Sequence, residues 1–330
     1  MIRLSARFTS AAVLVASIVF AMVAAAQQQV PPAPPAQEPS APAPSAAPVF
    51  PKPDPVNFTA TLPTKDTINA FLQATWGFDD TRMWQVQEIQ KTAVDGVSRV
   101  VVLVGDKSGK QKAAQLQFFA LPDGKHIIAG DEMVAFGEHP FAENRAKLQQ
   151  RADGAYRGSA MKDLEIVEFA DFQCPHCKDA QATMEKLGVD FPKARIVFQS
   201  FPLERIHPEA KYAAEFGACV AKLGGNDAFF TFATAVFDGQ EGLATPDGAT
   251  LTLNSAVTKA GLDPKKVSDC AATPAIVSQV EASEKLAIEL RINQTPMLMI
   301  NGRMLPVGGV PYETIKQVIE FQEKLDGLTQ

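Results

Sequence analysis

Apolar and polar positions along the chain sort into two runs of elements separated near residues 152–159. Leu164 to Phe169 is an apolar run of strand length, which predicts a short buried strand. Cys174-Pro175-His176-Cys177 follows, and Lys178 to Leu187 then takes up helical spacing. Ala194 to Ser200 reads as a second strand. Helical periodicity then dominates, over His207 to Leu223, Asp227 to Phe237, Leu251 to Ala260 and Pro274 to Leu290. Strand character returns at Met297 to Ile300, turns at Asn301-Gly302 and continues through Arg303 to Leu305; Gly308-Gly309 and Pro311 introduce a last helix to Leu325. The predicted order is β-α-β, a helical insertion over about 205–292, a β-hairpin and a helix.

The region ahead of the boundary has a different pattern. Thr64 to Thr75 is spaced as an amphipathic helix. Strand-like runs follow at Trp84 to Thr92, Val97 to Val104, Ala113 to Leu121 and Ile127 to Val134, punctuated at Asp95-Gly96, Asp106 to Gly109 and Asp123-Gly124. A helix and an antiparallel meander predict a small α+β domain over 57–152. It has no cysteine, and its two histidines, His126 and His139, are isolated, which reads as packing or surface rather than chemistry. Binding, dimerisation or positioning is the expected role.

The first residues do not belong to either domain. Arg3 and Arg7 precede an apolar stretch, Ala11 to Val23, and Ala24-Ala25-Ala26 fits a cleavage site, so 1–26 reads as a signal peptide rather than a membrane anchor. Residues 27–56 are rich in Pro and Ala, a composition that makes an extended linker. The expected location is therefore the periplasm or another exported, oxidising compartment. The precursor has net charge −6; without the two leader arginines, 29 Lys+Arg face 37 Asp+Glu, a net charge of −8. That balance, with no basic run, argues against a nucleic-acid partner.

Export changes the reading of the cysteines. With Cys174 at the N-cap and Pro175 at the first helical position, the Cys174 sulfur faces unpaired N–H groups and the positive end of the helix, which favours thiolate. His176, when protonated, adds a second positive influence. Cys177, one turn on, is more shielded. Cys174 is thus the candidate attacking or attacked sulfur and Cys177 the resolving one. Cys219 and Cys270 complete an even count; in an exported chain they are expected to form a structural disulfide, the other reading being two buried thiols. A metal site built on Cys174, His176 and Cys177 lacks the second short-spaced ligand pair that a structural zinc needs. No metal and no cofactor are expected.

The element order, with Cys174-Pro175-His176-Cys177 and Thr295-Pro296, resembles the thioredoxin superfamily, and the insertion places it with the DsbA-like branch. Glu168 lies six residues before the first cysteine, where that family has a buried acid. Phe201-Pro202-Leu203 and His207-Pro208 are similar to its segment after the second strand, and Asn301-Gly302-Arg303 to its hairpin turn. The resemblance implies an α/β thioredoxin fold with a helical insertion over 159–330. It also implies that Pro296 is a cis-proline facing the cysteines, with Thr295 and Pro296 binding substrate backbone. Glu168 becomes a buried carboxyl that exchanges a proton with Cys177.

The implied activity is that of a thiol:disulfide oxidoreductase that donates disulfides to exported thiol-containing proteins and is recycled by a membrane redox partner. Thr295 departs from the best-known oxidase and is similar to isomerases. The 57–152 unit, with Leu121-Pro122-Asp123-Gly124 near its end, loosely resembles the DsbC/DsbG dimerisation domain. The alternative is therefore a homodimeric isomerase or reductase kept reduced by its partner. A binding or holdase protein, in which the redox pair is incidental, is the non-enzymatic reading.

Overall fold

A computed structural model describes residues 50–108 and 113–328. The expected signal peptide at 1–26 and the 27–49 part of the linker lie outside the described residues. The chain divides into two compact units, Met1–Pro140 and Phe141–Gln330.

In the first unit, regular structure is present ahead of the expected start at 57. Asp54 caps a 3-10 turn, Pro55–Asn57, by accepting from the Val56 N–H at 3.0 Å. Gln87, at a bulge in the first strand, donates to the Pro51 carbonyl at 3.1 Å. Helix α1 (Lys65–Trp76) starts at Thr64, whose hydroxyl accepts from the Thr67 N–H. It buries Ile68, Phe71 and Leu72 against a five-stranded antiparallel meander. The strands are β1 (Arg82–Lys91), β2 (Ser98–Asp106), β3 (Ala114–Ala120), β4 (His126–Ala129) and β5 (Glu132–Ala135), paired in sequence order. The strand expected over 127–134 is thus a hairpin: Ala129 pairs with Glu132 across a two-residue turn, and Gly130 takes φ 64°, a conformation that glycine adopts without strain. His126 closes the preceding turn, its Nδ1 2.6 Å from the Asp123 carboxylate.

The second unit opens with helix α2 (Ala142–Arg151), absent from the sequence-based expectation. Its one buried side chain, Leu148, packs among Val167, Phe169, Leu286 and Met299. The division at 140/141 is earlier than the expected 152–159 boundary for that reason. The expected boundary segment itself is threaded into the sheet as β6 (Tyr156–Gly158). Strand order is β10-β9-β7-β8-β6. The central strand β7 (Glu165–Ala170) is buried along its whole length, parallel to β8 (Arg195–Ser200) and antiparallel to β9 (Met297–Ile300). β10 (Arg303–Pro306) turns back on β9, and β6 runs antiparallel to β8. Helix α3 (Pro175–Asp190) makes the crossover between the parallel strands.

The insertion is α4 (Ala210–Asp238), a 3-10 turn (Gln240–Ala244), α5 (Pro246–Lys259), α6 (Pro264–Ala271) and α7 (Pro274–Glu289); α8 (Tyr312–Leu325) closes the unit. α4 breaks at Gly225, φ 77° and ψ −171°, between the two helical stretches expected there. α6 was not anticipated, although Asp263 caps it and Pro264 opens it. Phe172, just after β7, stacks on Phe198 of β8 at 5.0 Å and meets Phe229, Phe232 and Phe237 of α4. This aromatic cluster fixes the insertion against the end of the sheet from which the cysteines emerge. Cys219 of α4 and Cys270 of α6 are joined by a disulfide. Among the described residues, no helix is long and apolar enough to cross a membrane.

Candidate active site

β7 ends at Ala170, and a tight turn carries the chain into α3. Cys174 is the N-cap residue, with extended backbone (φ −75°, ψ 121°), and Pro175 occupies the first helical position. Proline suits that position because its missing N–H has no helical acceptor to lose and its φ is already helical. Both cysteines are free thiols; Cys174 is 4 % exposed and Cys177 fully buried. Both cysteines are buried, Cys177 the more completely.

Their acidities part accordingly. The Cys174 thiol is pushed down to about 5, first by the Cys177 S–H that donates to it, then by the Thr295 hydroxyl and the backbone N–H groups of Cys177 and His176, against the opposing effect of burial. Cys177 is pushed strongly up, first by burial, then by its hydrogen bond to Cys174 and by the neighbouring Cys174 and Glu168 charges. The N–H of Asp171 donates to the Cys177 sulfur at 3.4 Å.

The Thr295–Pro296 peptide is cis, and this loop faces the cysteines: the Cys174 thiol donates to the Thr295 carbonyl at 3.6 Å. Thr295 Oγ1 is buried without a hydrogen-bond partner, and its hydroxyl favours the Cys174 thiolate. Glu168, on β7, is buried and raised to about 7, chiefly by loss of hydration, with Arg157 and the Gln181 amide pulling the other way. Gln181 Nε2 donates to Glu168 at 3.3 Å and to the Cys177 carbonyl at 2.9 Å, linking the acid to the second cysteine's own helix turn. The structure therefore brings Glu168, Cys174, Pro175, Cys177, Thr295 and Pro296 together. The His176 ring, by contrast, points to solvent, 3.9 Å from the Asp179 carboxylate. Its backbone N–H favours the thiolate, so the expected influence of its ring charge gives way to a main-chain one.

Several neighbours had no role in the sequence-based reading. Asp171 is buried and accepts from the Gln173 and Leu203 N–H groups at 2.7 and 2.8 Å, while the His207 ring lies 2.8 Å from the same carboxylate. Gln173 and Gln240 bridge the turn to the insertion. Of these, Leu203 and His207 carried a signal only as part of the segment after the second strand that the resemblance picks out. Among the described residues, no group of three or more His, Cys, Asp or Glu could hold a metal ion.

A family model described as "Thioredoxin" matches residues 151–320, just over half of the chain. The chain belongs to the thioredoxin family. The matched residues hold the cysteine pair, the cis-proline loop and the helical insertion described above.

Two solved structures are similar to this thioredoxin-family chain. A thioredoxin-like oxidoreductase from Silicibacter pomeroyi DSS-3 is 22% identical, with 55% of this chain and 98% of that one covered at a TM-score of 0.46. The thiol-disulfide exchange protein alpha-DsbA2 from Wolbachia pipientis is 22% identical, with coverages of 57% and 96% and a TM-score of 0.45. Among curated proteins, the Na(+)/H(+) antiporter NhaA 3 of Salinispora tropica is 38% identical over 68 residues, 21% of this chain and 10% of that protein. The chain spans a tenth to a quarter of the length of the curated relatives it matches.

Chemically, the site offers a sulfur that ionises easily, a second held protonated, and a carboxyl that changes charge near neutrality. These are the parts of a dithiol–disulfide exchanger.

Proposed function

We propose that this protein is an exported thiol–disulfide oxidoreductase that donates the Cys174–Cys177 disulfide to exported client proteins. A client thiolate attacks Cys174 Sγ; the Cys174–Cys177 bond breaks and its electron pair leaves on Cys177, which takes a proton from Glu168. A second client thiolate attacks the client sulfur of the mixed disulfide, and Cys174 departs as thiolate. The client loses two electrons, the Cys174–Cys177 pair gains them, and a membrane redox partner removes them again.

The observation that carries this reading is the opposite tuning of the two cysteines. An easily ionised Cys174 is a good leaving group, and stabilising its thiolate stabilises the dithiol, so the disulfide is a strong oxidant. The cis-Pro296 loop beside it supports client binding through the Thr295 backbone. The separate α+β unit favours a second reading, a homodimeric isomerase or reductase in which the Cys174 thiolate itself attacks client disulfides.

The test is trapping in cells. Cys177→Ala runs the exchange in reverse: its Cys174 thiolate attacks a client disulfide, one client sulfur leaves as thiolate, and no second enzyme thiol resolves the bond, so clients should accumulate on Cys174, whereas Cys174→Ala should accumulate none. Acid quenching should find the wild-type pair oxidised. A pair held reduced would select the isomerase or reductase, and absence of mixed disulfides would overturn thiol exchange altogether.

A further inference from the structure

The turn that carries the cysteines is gripped by the helical insertion through side-chain amides. Gln240, the first residue of the 3-10 turn after α4, donates from Nε2 to two carbonyls, that of Phe172 at 2.8 Å and that of Cys174 at 2.9 Å. Gln173, between those two residues, reaches the opposite way. Its Nε2 donates to the Leu243 carbonyl at 3.0 Å, and its Oε1 accepts from the Glu209 N–H at 2.9 Å. Both glutamines are half-buried, so water competes only partly for these bonds.

The Cys174 carbonyl matters because it is also the first acceptor of α3, taking the Cys177 N–H at 3.1 Å and the Lys178 N–H at 3.3 Å. A carbonyl held from the side by Gln240 fixes the peptide plane that follows Cys174. Pro175 fixes the next φ. Together they set the direction of the N–H groups of His176 and Cys177, both of which favour the thiolate. The Gln240 amide also offsets the negative ends of two carbonyl dipoles close to that sulfur.

We propose that Gln240 is a positioning residue for thiol–disulfide exchange, holding the Cys174 carbonyl so that the start of α3 stabilises the Cys174 thiolate. It rests on the reading of Cys174–Cys177 as the reactive pair. It makes the insertion, 66 residues away in sequence, part of the redox machinery rather than only a cover over the sheet.

Gln240→Leu keeps the side-chain size and removes both donated bonds. Thiolate absorbance against pH should place the Cys174 midpoint about one pH unit higher than in wild type, and equilibration with glutathione should favour the dithiol about tenfold less. Gln240→Glu, which replaces the donor by a charge, should move both further the same way. Gln322→Leu is the control: Gln322 is buried in α8 and bonded to Arg303 and Asp326, so its loss should lower the melting temperature and leave the midpoint alone. A Gln240→Leu protein that melts lower with midpoint and glutathione equilibrium unchanged would show mere packing and overturn the assignment. Should Gln240→Leu not fold, Gln240→Asn, too short to reach both carbonyls, supplies the same readout. A wild-type midpoint at the ordinary cysteine value would remove the redox reading and this inference with it. A low wild-type midpoint that Gln240→Leu does not move removes the inference alone.

Discussion

Glu168 is a carboxyl kept from water at the centre of a sheet, and its proton follows from that position. The native side chain holds the proton to about 7 against an ordinary 4.5. Between those two pH values the unfolded chain has released a proton that the native protein still binds, so native stability falls as pH rises through the window and levels off above it. The whole effect is about 3 kcal/mol. Cys174, a stronger acid in the native state than in the unfolded chain, acts oppositely in the reduced protein, adding stability as pH rises above about 5. The oxidised protein, whose Cys174 has no proton, lacks that opposing contribution. Urea denaturation of oxidised wild type should show unfolding free energy declining from pH 4.5 to 7, a decline to which the raised Glu165, Glu215 and Glu284 also contribute, and Glu168→Gln should make it shallower; equal slopes would place the Glu168 titration outside the window. Glu168 was legible through the family resemblance, which implies a buried acid six residues before Cys174. Its counter-charge Arg157 was not, because Arg157 reaches it from a three-residue strand too short to show alternation.

The same distinction holds for whole elements. β7 was readable because a strand buried on both faces is nearly all apolar, and α3 because proline after cysteine marks a helix start. α2 was not: its one buried side chain, Leu148, makes no stripe, so nothing periodic announces it. Gly130-Asp131 marked a turn inside what reads as one strand from Ile127 to Val134, and the segment is a hairpin. Gln173 and Gln240 were invisible for another reason, since a polar residue's partner across the fold leaves no mark in local pattern. The insertion's helices were read except for α6, and the Cys219–Cys270 disulfide ties α4 to that missed helix across a sequence separation of 51. On the chain-entropy account, closing a loop of that length restricts the unfolded state by about 4 kcal/mol. The double variant Cys219→Ala, Cys270→Ala should therefore unfold at lower denaturant, with a loss of up to about 4 kcal/mol. The Cys174 midpoint should stay put, because the disulfide touches neither the 171–174 turn nor the Gln240 bonds. A shifted midpoint would mean that the bridge also tunes the site.

At the scale of the whole chain, the thioredoxin match over 151–320 lies inside the second unit, yet neither the matched range nor the sequence boundary at 152–159 is where that unit begins. α2 lies ahead of both. Leu148 is 1% exposed in the same core as Val167 and Phe169 of the central strand. Arg145 donates to the Asp163 carbonyl and pairs with Asp326 at 3.3 Å. β6 adds backbone pairing along the edge of β8. A fragment of residues 141–330 should therefore fold alone, melt close to the second transition of the full chain and keep the low Cys174 midpoint. A fragment of 159–330 loses α2 and β6 and empties the place of Leu148, a cost of about 3 kcal/mol or more for that side chain alone. It should melt well below the longer fragment and expose the edge of β8 to aggregation. Calorimetry on the two fragments decides it. Equal melting temperatures would show that α2 is an appendage to the redox unit, and the domain division would return to the position that the hydrophobic pattern alone suggested.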